Sequence, residues 1–255
     1  MVHGMTQDHR VFSAQVKYFQ NEFRLLLVDL PGHGRSADVA GPYGHWEMMQ
    51  HVRSALDQVA VGPVHYWATH TGTALGLLLA ADEPERFHSL ILEGAVVSGA
   101  SMPYISETLS SASATAKADG IHRAIHDIFY QAGWYEILRK RPQECRAEEH
   151  LKILLDFKGA PWTEDHTAAP ANLSDEALAQ IHIPTLVYNG AHELEDFISI
   201  ADKLEKRIPN VERAIIPRAG GFPAWEYPDE VNELVRDFLS RQSPHTRRVS
   251  PALLV

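Results

Sequence analysis

One stretch constrains the fold more than any other: Val64-His65-Tyr66-Trp67-Ala68-Thr69-His70-Thr71-Gly72-Thr73, followed at once by Ala74-Leu75-Gly76-Leu77-Leu78-Leu79-Ala80-Ala81. It reads as a buried strand, a tight turn and a helix built from small and aliphatic residues. A turn that short, leading from a covered strand into a closely packed helix, lifts a side chain above the end of a parallel sheet.

The rest of the chain agrees with an α/β sheet. Residues 23–30, Phe-Arg-Leu-Leu-Leu-Val-Asp-Leu, form an apolar run of strand length that suits a parallel strand covered on both faces. They end in the glycine-rich turn Pro31-Gly32-His33-Gly34-Arg35-Ser36, which lacks the Lys-Ser/Thr of a phosphate-binding loop. Helical spacing covers 11–23, with Asp8 as a cap, and 46–59, where Gly62-Pro63 stops it. Ser89-Leu90-Ile91-Leu92-Glu93 is another short buried strand, and this alternation predicts a doubly wound, mostly parallel sheet.

From 98 to 180 the pattern changes to helix and loop, with helices expected over 121–138 and 148–157. This insertion reads as a cap whose aromatic residues form its own core. The sheet resumes at Ile183-Pro184-Thr185-Leu186-Val187-Tyr188-Asn189-Gly190, followed by a helix over 196–207, a strand over 212–216 and a closing helix over 229–239. The predicted organisation is a core of 1–97 and 181–240, a cap of 98–180 and a loose tail of 241–255.

Among the 255 residues, 45% are hydrophobic and 22% charged, enough for a sizeable core in one domain of ordinary size. The formal net charge of −10, with no basic run beyond Arg247-Arg248, argues against a nucleic-acid partner. No apolar run approaches the ~20 residues that span a bilayer, and no signal peptide is visible, so a cytoplasmic protein is expected. The single cysteine, Cys145, excludes an internal disulfide and reads as a bystander thiol.

In this order, His3-Gly4, Asp29-Leu30-Pro31-Gly32-His33-Gly34-Arg35-Ser36, the strand–turn–helix, Glu83-Pro84-Glu85-Arg86, Pro184-Thr185-Leu186-Val187 and Trp225-Glu226-Tyr227-Pro228 resemble the α/β-hydrolase superfamily, most closely its esterase, lactonase and epoxide-hydrolase-like branch. The resemblance covers nearly all of 2–240 and implies an α/β-hydrolase fold with a cap inserted between sheet strands. It also implies a nucleophile, a later acid and a final histidine in that chain order. Laid on G-x-S-x-G, the turn is Thr69-His70-Thr71-Gly72-Thr73, which puts Thr71 at the nucleophile position. A β-branched residue is strained at a positive φ, so two readings of Thr71 stay open: a nucleophile, or a cap for the helix with Gly72 taking the unusual angles.

The resemblance places the acid at Glu193, with Glu93 as the alternative, and the oxyanion donors at the backbone N–H groups of Met5 and Gly72. The final motif is degenerate. Gly220-Gly221-Phe222-Pro223 puts Gly221 where the family has its histidine, and His192 is the substitute nearest in sequence among 15 histidines. No His or carboxylate spacing suits a metal, and neither a metal nor another cofactor is expected. The resemblance also implies a shortened N-terminus that leaves an edge strand bare, to be covered by a partner such as a second copy in a homodimer.

Three functions follow for a pocket that suits a small apolar carbonyl compound. One is ester or lactone hydrolysis, weak or lost because the triad is incomplete. Another is a lyase, isomerase or oxygenase reaction in the same pocket. The third is a silent ligand-binding or interaction protein.

Overall fold

The computed structural model describes residues 1–59, 62–242 and 253–254. Four strands form one parallel sheet in the order β2 (Val64–Thr69), β3 (Phe87–Glu93), β4 (Thr185–Gly190), β5 (Val211–Ile216). Central β4 is buried along its whole length and outer β5 is half exposed, as their positions require. Beyond β2 lies β1, only Leu26–Leu27, shorter than the run 23–30 predicts. Its reason is the neighbour: Val2 alone bridges between β1's strand and β2, pairing in parallel with Val28 and Ala68.

Where the sequence predicts a bare outer edge, the structure has β1 beyond Val2, with a gap between β1 and β2. The gap is an apolar cavity of about 470 Å³ lined by Phe19, Leu25, Leu26, Val64 and Trp67 among others. The Met1 ammonium donates to the Leu26 carbonyl at 2.6 Å, and burial pushes it down to about 5. On the far side, Leu26 and Leu27 pair in parallel with Leu253 and Leu254 (β6). Residues 243–252 and 255 of the predicted tail lie outside the described residues.

Helices α1 (Ser13–Phe19), α2 (His45–Val59) and α3 (Thr71–Asp82) flank the first half of the sheet. α3 has almost no polar face, and Leu75, Leu77 and Leu79 are each 0% exposed, burial worth roughly 1.5–3 kcal/mol per side chain. Gly76 lets it lie against the Tyr66 ring, whose hydroxyl donates to the Gly72 carbonyl at 2.7 Å.

Between β3 and β4 the chain is helical, with α4 (Pro103–Asp119) and α5 (Ala147–Leu155) as its long elements. The single helix expected over 121–138 is instead broken into short turns, Ile121–Arg123, Ala124–Ile128, Phe129–Gln131 and Gly133–Tyr135. Extended backbone at Ala132 (φ −58°, ψ 154°) breaks it. That bend lets Trp134 and Tyr135 reach the core, where Tyr135 stacks on Phe222 at 4.8 Å and Trp134 meets Phe197. The cap aromatics thus pack against the core as well as each other. After β4, α6 (Glu195–Arg207) and α7 (Pro228–Gln242) close the fold, and the short helix Pro223–Glu226 precedes α7. Cys145 is buried, and burial raises its thiol to about 11. Among the described residues no helix is long and apolar enough to cross a membrane.

Candidate functional site

The turn after β2 is centred one residue earlier than the hydroxyl pattern predicts. His70 has φ 46° and ψ −117°, while Thr71 is the first residue of α3 and Gly72 is helical. The raised side chain is therefore an imidazole. The small residues that make room are Ala68, two before it, and Gly72, two after. A Cβ on Gly72 would lie 2.5 Å from the Val2 carbonyl oxygen. A positive φ at a residue other than glycine costs on the order of 1–3 kcal/mol. Here the turn is held by His70 N–H on the Glu93 carbonyl (2.9 Å) and by Thr73 N–H on the His70 carbonyl (2.8 Å).

Both readings of Thr71 are corrected with the turn. It is not the strained residue, and the N-cap of α3 is His70. Its hydroxyl instead accepts from the Met5 N–H at 3.2 Å, so Thr71 occupies one predicted oxyanion donor. Gly72 lies one residue past the helix's first N–H, which belongs to Thr71. Thr71→Ala is expected to free Met5 N–H and tighten binding of a small carboxylate such as acetate several-fold, given about 0.5–1.5 kcal/mol for one hydrogen bond. Titration calorimetry on both forms measures this, and equal affinity would contradict it. Met5 also lines a surface cleft of about 560 Å³ with Leu109, Ser113, Lys117 and Trp162 of the cap.

The His70 ring is 9% exposed and lies between Phe197 and Phe222, each 4.8 Å away between centroids. Its Nδ1 is 2.8 Å from the Thr69 hydroxyl, which donates to Glu93 Oε1 at 3.0 Å. Glu93 Oε2 accepts from Ala224 N–H at 2.8 Å. His70 Nε2 is buried and makes no well-aligned hydrogen bond, although the Gly221 backbone lies near enough to the ring to favour its protonated form, and a Cβ on Gly94 would come within 2.8 Å of it. Burial holds the imidazole uncharged, down at about 3, and raises the Glu93 carboxyl to about 7.

Gly221 has no room for the missing histidine. A Cβ there would lie 2.6 Å from the Trp134 carbonyl oxygen and 2.8 Å from Trp134 Cβ. Glu193 does follow β4, but its Oε1 accepts from Leu194 N–H at 3.0 Å and its buried Oε2 has no partner. Burial pushes this carboxyl well above the usual range, with repulsion from Glu226 and Glu93 adding to it. Glu226 Oε2 accepts from Gly220 N–H at 2.6 Å, and burial raises that carboxyl to about 8. His192 is exposed, and among the described residues no hydrogen bond joins it to Glu193 or Thr71. Its backbone N–H donates to Ala219, and the charge near its ring is that of Glu136.

The structure thus brings together Glu93, Thr69 and His70, of which only Glu93 is a sequence-predicted site residue. Asp8, His9 and Asp29 form a group that could hold a cation. Their atoms are already engaged: Asp29 accepts from His9 N–H, His9 Nδ1–H and Arg35 N–H, and Asp8 pairs with Arg10.

The family model described as alpha/beta hydrolase fold matches residues 1–132. A 2-hydroxy-6-oxononadienedioate/2-hydroxy-6-oxononatrienedioate hydrolase of Burkholderia vietnamiensis is 24% identical over 242 residues, covering 90% of this chain and 81% of that protein. Its counterpart in Cupriavidus pinatubonensis is 26% identical, covering 85% and 76%. Among solved structures, a thermophilic esterase from Thermogutta terrifontis superposes with TM-score 0.78 at 21% identity, covering 94% of this chain and 88% of that one. An enol-lactonase from Burkholderia xenovorans gives 0.74 at 19% identity, covering 94% and 90%. With more than half its length matched by the family model and its sheet and turn arranged as described, the chain belongs to the α/β hydrolase fold family.

Proposed function

We propose that this chain hydrolyses a small apolar carbonyl compound slowly, with the imidazole of His70 as the acid–base group and without a covalent intermediate on a hydroxyl. One observation carries the reading: the side chain raised at the end of β2 is His70, at φ 46° and ψ −117°. The uncharged imidazole has a ring nitrogen that can take a proton, although burial makes it a much weaker base than an exposed histidine, which agrees with slow turnover. A buried ring nitrogen also calls for a ligand or water to satisfy it.

In the reaction, water attacks the carbonyl carbon and passes a proton to His70 Nε2. The oxygen gains negative charge against the N–H groups of Met5 and Thr71, once the Thr71 hydroxyl has turned away. Collapse breaks the bond to the leaving group, which recovers the proton from Nε2. The relatives' names make 2-hydroxy-6-oxo-dienoates the first substrate class to try, and those of the similar solved structures make esters and lactones the second.

A second reading, ligand binding without turnover, is favoured by the Thr71 hydroxyl on Met5 N–H. The test is a panel of 2-hydroxy-6-oxo-dienoates, lactones and aryl esters with wild type, Thr71→Ala and His70→Ala. Measurable turnover in the first two, falling about 10²–10⁴-fold in His70→Ala, is the expected result. A blank panel for both wild type and Thr71→Ala leaves the binding reading in its place. Labelling of Thr71 by a fluorophosphonate would refute the absence of a hydroxyl nucleophile.

A further inference from the structure

We infer that Glu93, Thr69 and His70 form a proton relay, in which the Thr69 hydroxyl transmits the protonation state of Glu93 to the tautomer of His70. Any catalytic use of the relay rests on the reading of His70 given above; the relay itself does not.

The argument starts from one hydrogen. Thr69 Oγ1 lies 2.8 Å from His70 Nδ1 and 3.0 Å from Glu93 Oε1, and it carries a single proton that can be donated in one direction only. With Glu93 ionised, Thr69 donates to the carboxylate and accepts from Nδ1–H, leaving a bare lone pair on Nε2. With Glu93 protonated, its O–H donates to Thr69, Thr69 donates to Nδ1, and the ring proton sits on Nε2. The imidazole is uncharged in both states. One is poised to take a proton at Nε2 and the other to give one.

One neighbour acts on the ring itself, the Gly221 backbone, which favours a ring N–H facing it and so biases the tautomer that Thr69 and Glu93 shift. Thr69 is 3% exposed and Glu93 2%, so bulk water does not compete for the hydroxyl. Glu93 Oε2 is tied to a backbone N–H of Ala224, a donor that cannot reverse, so Oε1 is the oxygen that takes part. The Tyr188 hydroxyl, on β4, accepts from Trp67 Nε1 at 3.0 Å and turns its own hydrogen toward Glu93. The other ionisable groups facing the pair are the Glu226 and Glu193 carboxyls, which burial keeps protonated toward neutral pH. On the His70 side there is His150 of α5, which burial holds uncharged near 3. Burial places the Glu93 transition at about 7, within the working range of most proteins.

Used in a reaction, the relay moves a proton without charging the ring. A bound molecule's proton forms a bond to Nε2, the Nδ1 proton passes to Thr69 oxygen, and the Thr69 proton passes to Glu93 Oε1. Three bonds to hydrogen form and three break, with the net transfer from ligand to Glu93. Thr69 and Glu93 are positioning residues in this scheme, since only His70 meets the ligand.

The test is ¹⁵N NMR of histidine-labelled protein, following the two His70 ring nitrogens from about pH 5.5 to about pH 9, with His70→Gln to assign them. The expected result is Nε2–H at low pH and Nδ1–H at high pH, with a midpoint near that of Glu93. Glu93→Gln and the isosteric Thr69→Val should each hold the ring in one tautomer at every pH, whereas Thr69→Ser keeps the switch. An unchanged tautomer across the range in wild type, or a switch that persists in Thr69→Val, overturns the relay. If Thr69→Val does not fold, Glu93→Gln decides alone. A tautomer switch with a blank substrate panel leaves the relay standing and removes the hydrolytic reading. His70-dependent turnover with a fixed tautomer does the reverse.

Discussion

Gly190→Ala is expected to destabilise the fold by about 3 kcal/mol, at the upper end of what small-to-large changes cost in packed interiors. Gly190 is the last residue of β4, and an added Cβ would lie 2.2 Å from the carbonyl oxygens of both Ala219 and Gly220 and 2.3 Å from the Ala219 carbonyl carbon. All three are backbone atoms, so no rotamer change relieves the clash and the segment 219–221 must move. That segment takes a hydrogen bond from His192 N–H on the Ala219 carbonyl and gives one from Gly220 N–H to Glu226. Moving it also carries Gly221 away from Trp134 and from the His70 ring. Urea unfolding should show a lower midpoint with an unchanged slope. An unchanged midpoint would mean that the close approach of β4 to this loop is not what holds the site.

The turn after β2 is only partly legible in the sequence. The strand, turn and helix over 64–81 were legible because burial on both faces of β2 and all round α3 demands continuous apolar residues. The register of the turn was not, because a search for a hydroxyl settles on Thr71. The signal for the right register was present: Ala68 and Gly72 stand two before and two after His70, and packing against Val2 requires a small residue at 72. A histidine also tolerates a positive φ better than a β-branched threonine does.

Other parts of the site were illegible for a different reason. The bond from Thr69 to Glu93 crosses from β2 to β3, whose pairing of Thr69 with Glu93 depends on a register that no local pattern states. Nor does the sequence show that Trp134 fills the space beside Gly221, since that follows from a break in a segment whose spacing predicts one continuous helix. Glu226 reads as an ordinary carboxylate in Trp225-Glu226-Tyr227-Pro228, yet it is 3% exposed. By contrast Glu93 was within reach, because a carboxylate at the end of a central parallel strand lies where the sheet presents its functional side chains.

The buried carboxyls make stability fall as pH rises from about 5 to about 8. Glu93 and Glu226 have folded values of about 7 and about 8, above the ordinary 4.5, and Glu193 is raised further. In that window the unfolded chain has already released these protons while the folded one still holds them. The folded state therefore binds more protons, and stability declines with pH. The buried imidazoles His33, His70 and His150, each lowered to about 3, act in the opposite sense, since the unfolded chain takes up their protons on acidification. The Met1 ammonium, lowered from 8.0 to about 5, acts in that same opposite sense up to about pH 8, so a carboxyl variant, and not the wild-type curve, isolates the carboxyls. Each unit of displacement is worth about 1.4 kcal/mol, and relaxation around the ionised group reduces the total. Glu226→Gln, whose amide oxygen can still accept from Gly220 N–H, is expected to raise stability by on the order of 2 kcal/mol more at about pH 8.5 than at about pH 6. Urea unfolding of both forms at both pH values measures the difference, and an equal gain at the two pH values would mean that Glu226 ionises in the folded protein at no cost. Such a cost, retained beside a strained imidazole, is what a site that must hold protons near neutral pH imposes on its own fold.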